Sequence, residues 1–104
     1  MRNADILNKI KHLVLEQEPN AEIILFGSYA RGSYNTESDL DILILLDKEN
    51  ITRDDERKIT SPLFDLELAN SLVISPLIRS KKNWYKLYPN TALFKNINRE
   101  GKLL

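Results

Sequence analysis

The chain has 104 residues, 42% of them hydrophobic and 29% charged, which predicts one compact domain over residues 1–104 with an open cleft and no deep chamber of its own. Fifteen Lys plus Arg balance fifteen Asp plus Glu, so there is no global positive field to hold a nucleic-acid backbone or to coat an anionic membrane. Cysteine is absent, which excludes disulfides, thiolate zinc sites and cysteine nucleophiles; with no signal-type stretch at the start and an apolar run, Ile42 to Leu46, far short of the ~20 residues that span a bilayer, a soluble cytoplasmic domain is expected.

Ile6, Leu7, Ile10, Leu13 and Val14 recur at helical spacing with Lys9, Lys11 and Glu16 between them, predicting a first amphipathic helix that stops near Pro19-Asn20. Glu22 to Phe26 is a short run of strand formers ended by Gly27, and Gly27 to Ser38 reads as a loop with a helical turn at Tyr29 to Gly32. Asp39 to Asp47 predicts a second strand, apolar on both faces beyond its first residues and hence central in a sheet covered by helices on both sides. Thr52 with Asp55 three residues on has the form of a capping box opening a helix to Ala69, with Pro62 expected to bend or split it. Leu72 to Ile78 predicts a third strand, placed at an edge or a bulge by Pro76. Ser80 can cap a short helix through Trp84 and Leu87, and Pro89 or Asn90 can start a last one carrying Leu93, Phe94 and Ile97.

Two features of this layout carry chemistry. Gly27-Ser28 falls where a strand ends, and a glycine there lets the backbone approach a ligand while the next amide and a hydroxyl point outward, an arrangement suited to phosphate oxygens. Asp39 and Asp41 are two residues apart, so in a strand their side chains leave one face about 6.6 Å apart and can converge on one cation. Magnesium takes one or two protein carboxylates and completes its shell with water and substrate phosphate, so the acids can hold a metal-nucleotide while Ser28 and its amide hold the phosphate chain. Taken singly, a Gly-Ser turn is a loop filler and an Asp-x-Asp pair guards a strand edge. Together the balance changes, because two carboxylates on an otherwise apolar strand are costly without a cation.

Gly27-Ser28-Tyr29-Ala30-Arg31-Gly32 followed by Ser38-Asp39-Leu40-Asp41 resembles the G-S-x10-D-x-D signature of the polymerase-beta-like nucleotidyltransferases, specifically the minimal nucleotidyltransferases of prokaryotes. Ile97, Arg99, Glu100 and Gly101 also look similar to the end of small members. The resemblance implies an α/β (α+β) nucleotidyltransferase fold, a small mixed β-sheet flanked by helices in the order α-β-(turn)-β-α-β-α-α. It implies transfer of a nucleoside monophosphate from ATP or another nucleoside triphosphate to a hydroxyl, with two Mg2+ ions and release of pyrophosphate. Gly27 and Ser28 would grip the triphosphate, Asp39 and Asp41 would bind the metals, and Arg31 would touch phosphate or else form an ion pair with Glu37 or another acid. The family's third carboxylate is missing from the third strand, where Ser75 stands about where it is expected. Asp65 and Glu67 are the nearest acids; they fall in the expected helix, but Phe64 to Leu68 also alternates with strand period, and as a strand it would offer Glu67 or Asp65 as the third ligand.

Minimal nucleotidyltransferases often stand beside small helical HEPN-type proteins as antitoxin and toxin, and some add AMP to that partner. Such a protein partner is the implied acceptor, direct nucleic-acid binding is not expected, and a homo-oligomer stays open. The other reading is a weakly catalytic or non-catalytic module that neutralises the partner by complex formation. His12 on the first helix, the Arg53 to Lys58 charge run and the cluster Trp84, Tyr85 and Tyr88 have ordinary explanations in a solvated face and core packing, with any exposed aromatic a candidate partner surface.

Overall fold

Along a computed structural model that describes residues 3–33, 35 and 38–104, the elements run α1 (Asn3–Gln17), β1 (Glu22–Phe26), α2 (Gly27–Arg31), β2 (Leu40–Leu46), α3 (Arg53–Asn70), β3 (Ile74–Ser80), α4 (Lys81–Leu87), α5 (Ala92–Glu100) and β4 (Lys102–Leu103). The strands form one mixed sheet in the order β3-β2-β1-β4. β1 lies antiparallel to β2, with Phe26 opposite Asp41, and β2 lies parallel to β3, with Asp41 opposite Ser75. The expected fold class and the central place of β2 hold.

The alternation along β2 separates two cores. Ile42 and Ile44 face α1 and α3, where Ile10, Val14, Ile59 and Leu63 join them. Leu43 and Leu45 face the other way, against Trp84 of α4 and Ile97 of α5. All four β2 side chains are fully buried, so truncating one, Leu43→Ala for example, costs about 2 to 5 kcal/mol. The capping box at α3 is present: Thr52 Oγ1 accepts from the Asp55 amide at 3.1 Å and Asp55 Oδ2 accepts from the Thr52 amide at 2.9 Å.

Several boundaries differ from the sequence expectation. Gly27 opens a short helix directly from the strand, in place of a loop with a later turn. Asp39 precedes β2, whose ladder starts at Leu40. β3 begins two residues later than expected, because α3 runs on to Asn70 and Ser71, left-handed at φ 50°, must turn the chain before pairing can start. Pro76 is accommodated as foreseen, on an edge strand. Pro62 does not split α3, which continues through it as one helix. Thr91, whose hydroxyl accepts from the Phe94 amide at 3.1 Å, starts α5 in place of Pro89 or Asn90. The two-residue β4 was not expected; it pairs with β1 at Ile24 and Leu25.

Candidate functional site

The site is built where β1 ends and β2 and β3 begin. Gly27 leaves β1 with φ +75°, a left-handed conformation that disfavours any side chain. A methyl group here would also overlap the Asp41 carboxylate. Asp41 therefore rests against the backbone of the turn at Gly27. α2 closes at Gly32, which is also left-handed and whose amide donates toward the Ser28 and Tyr29 carbonyls. Ala30 is buried in the α1/α3 core while Arg31 reaches toward α5, so α2 bridges the two layers across the end of the sheet.

Asp41 keeps the face of Leu43 and Leu45, and its ladder partners Phe26 and Ser75 share it. Asp39, exposed just before the strand, is drawn to the same side by the Ser75 hydroxyl, which donates to its Oδ2 at 3.3 Å. Burial pushes the Asp41 carboxyl above its ordinary value of 3.8, the Asp39 charge pushes the same way, and Arg31 opposes both. Among the described residues nothing donates a hydrogen bond to the Asp41 side chain and no cation pairs with it. This unmet negative charge suits a bound cation. Two carboxylates without a third acid match the sparse protein ligation that magnesium accepts, and no cluster of three metal-ligating side chains occurs among the described residues.

Arg31 forms its ion pair with Glu100 at the end of α5: Nη1 donates to both carboxylate oxygens at 3.1 Å. Glu100 Oε1 also accepts from the Gly27 amide at 3.4 Å. The other acid considered for Arg31, Glu37, lies outside the described residues. Glu100 was visible in the sequence only as part of a weak terminal motif, since nothing local links it to a turn about seventy residues earlier.

Asp65 and Glu67 lie within α3, so the strand that would have presented them as a third ligand does not form. α3 covers the Ile42 and Ile44 face, opposite to that of Asp41. Asp65 instead lines an open groove of about 390 Å³ with Lys9, exposed His12, Leu13, Pro62 and Leu66. Of the aromatic cluster, Trp84 is buried and stacks on Tyr88 at 5.1 Å, while Tyr85 is exposed. No helix among the described residues is long and apolar enough to cross a membrane.

The family model described as a nucleotidyltransferase domain matches residues 7–95. Two Methanocaldococcus jannaschii relatives carry the names "Putative protein adenylyltransferase MJ0141" and "Putative protein adenylyltransferase MJ0604". The first is 48% identical over 59 residues, which is 57% of this chain and 59% of that protein. The second is 37% identical over 83 residues, 80% of this chain and 76% of that protein. Among solved structures, a toxin-antitoxin crystal structure with AMP-PNP superposes with a TM-score of 0.64 at 20% identity, covering 98% of this chain and 72% of the other. A mutant of the toxin-antitoxin pair MntA-HpeT superposes at 0.65 and 24% identity, covering 94% and 70%. At these identities the structures establish a shared fold. With the family model spanning most of the sequence and a relative aligned over four fifths of it, this chain belongs to the nucleotidyltransferase domain family.

Proposed function

We propose that this chain transfers AMP from ATP to a hydroxyl on a partner protein, in a pair of the toxin-antitoxin kind with a small helical HEPN-type partner. The observation that carries this reading is the convergence of Asp39, Asp41, the Gly27-Ser28 turn and Arg31 at one end of the sheet, with Asp41 lacking any cation of its own among the described residues. The names of the archaeal relatives support the protein acceptor, and the toxin-antitoxin structures that share the fold support the pairing. In this reading Asp39 and Asp41 would hold Mg2+, which would supply charge neutralisation on the phosphate oxygens. The Ser28 hydroxyl, its backbone amide and Arg31 receive the phosphate chain. The acceptor oxygen attacks the α-phosphorus and gives its proton to a site carboxylate or to water, a new O–P bond forms, the bond from the α-phosphorus to the bridging oxygen breaks, and pyrophosphate leaves. The Ser75 hydroxyl steadies Asp39 by donating to its carboxylate.

A second reading is favoured by Ser75 itself, which stands opposite Asp41 where a further acid would strengthen activation of the hydroxyl. Two carboxylates then suffice for nucleotide binding while transfer is slow or depends on the partner. The test is incubation of the chain with labelled ATP and magnesium, with and without the protein encoded beside it, followed by intact mass analysis. Label on the partner that disappears in Asp41→Ala supports the transferase. A stable complex that forms without nucleotide, with no label incorporated, assigns the chain to the binding module.

A further inference from the structure

Glu100 holds Arg31, which the nucleotide reading assigns to the triphosphate, and the amide of Gly27, which opens the turn that reading assigns to the phosphates. Its Oε1 accepts from the Gly27 amide at 3.4 Å, and both its oxygens accept from Arg31 Nη1 at 3.1 Å. Its side chain is only 17% exposed although it ends a surface helix. A carboxylate and a phosphate present similar oxygens to such donors, so the free protein already carries an anion where the nucleotide's anion must come. We propose that Glu100 sets the site's affinity for nucleotide by competing with phosphate oxygens for Arg31 and the Gly27 amide.

The inference rests on the nucleotide reading above and deepens it. Three features carry it. The Arg31 pair uses a single guanidinium nitrogen, so it lacks the two-nitrogen fork of the strongest Arg–carboxylate pairs and is exchangeable. Arg31 is half exposed, and exposed ion pairs contribute little to folding, so breaking this one does not unfold the domain. The third is distance along the chain: Glu100 arrives from α5, the element joined to β4, so release of its carboxylate loosens the contact between the C-terminal segment and the phosphate turn. The Arg31 guanidinium holds the Glu100 carboxyl below its ordinary range, so it is ionised at neutral pH and repels the incoming triphosphate as well as occupying its donors.

The test is calorimetric titration with magnesium-ATP of wild type, Glu100→Gln, Glu100→Asp, Arg31→Ala and the Arg31→Ala, Glu100→Gln double variant, each checked for folding by its melting transition. Gln keeps an oxygen for the Gly27 amide but loses the charge, and Asp withdraws the carboxylate by one methylene, so either variant keeps the question open to refutation if the other fails to fold. Competition predicts ATP binding about threefold or more tighter in both variants, with the gain abolished when Arg31 is absent. Unchanged or weaker binding in Glu100→Gln and Glu100→Asp, with wild type binding ATP, overturns the competition and leaves the nucleotide reading standing. Absence of ATP binding in wild type and all variants overturns both.

Discussion

Two aspartates, one in the first turn of α3 and one at the start of β2, meet opposite fates. Asp55 accepts from Lys48 Nζ at 2.7 Å and closes the capping box of α3, and Lys48 ties it on to Glu18 of the α1–β1 connection, also at 2.7 Å. These donors, Lys48 first, hold its carboxyl down to about 2. Asp41, at the strand's start, has neither donor nor paired cation among the described residues, and burial with Asp39 beside it pushes its carboxyl up. An acid serving the fold is stabilised in its charged form by the protein. In the proposed function Asp41 is instead left for a ligand to stabilise, and its upward shift is consistent with that role.

The largest effect expected from breaking this contrast is at the unsatisfied end. Replacing both Asp39 and Asp41 by Ala should lower magnesium-dependent ATP binding by about 100-fold or more, read by calorimetry, with the fold retained. Next comes the turn that receives Asp41. Gly27 and Gly32 share φ +75°, but only at Gly27 does a methyl meet the carboxylate, whereas Gly32 faces open space. Gly27→Ala should therefore cost about 1 to 3 kcal/mol in urea unfolding, and Gly32→Ala only about 1 kcal/mol or less. Equal costs at the two positions would mean that the Asp41 contact has no energetic weight.

At the satisfied end, Thr52→Ala removes the hydroxyl that caps α3 and should cost about 1 kcal/mol, with ATP binding unchanged in the same calorimeter. The smallest expected effect is in pH dependence. Asp55 has a folded value of about 2 against an ordinary 3.8, so its contribution is complete above 3.8 and is lost as pH falls toward 2. Asp41 is shifted the other way, so protonation relieves a cost and its contribution improves as pH falls through its raised value. Subtracting the stability profile of Asp55→Asn from that of wild type should give a loss on acidification, and the same subtraction with Asp41→Asn a gain.

Much of this contrast was legible because it is written in local chemistry. The capping box needs only Thr52 and Asp55 at the right spacing. The alternation of β2 and the strand-ending Gly27 likewise depend on neighbours in sequence, which is why the sheet centre was foreseen, whereas Asp39 lies outside the strand and is positioned by Ser75. What was missed depends on contacts between distant segments. The two-residue β4 has too few residues to carry a period, and forms because Gly101 lets the chain come within reach of Ile24. Glu100 acquires meaning only when α5 folds across the sheet end to Gly27 and Arg31. Pro62 was expected to bend or split α3, and it does not split it, because burial of Ile59, Leu63 and Leu66 against the sheet outweighs one missing amide donor.

In the proposed function Asp41 is held at a cost to the fold for the sake of a bound cation and nucleotide. Melting of wild type and Asp41→Asn, each with and without magnesium-ATP at neutral pH, tests it most directly. The account predicts that the variant melts higher than wild type without ligand, and that magnesium-ATP raises the melting temperature of wild type but not of the variant. A variant that melts lower without ligand and gains as much from magnesium-ATP as wild type would contradict it.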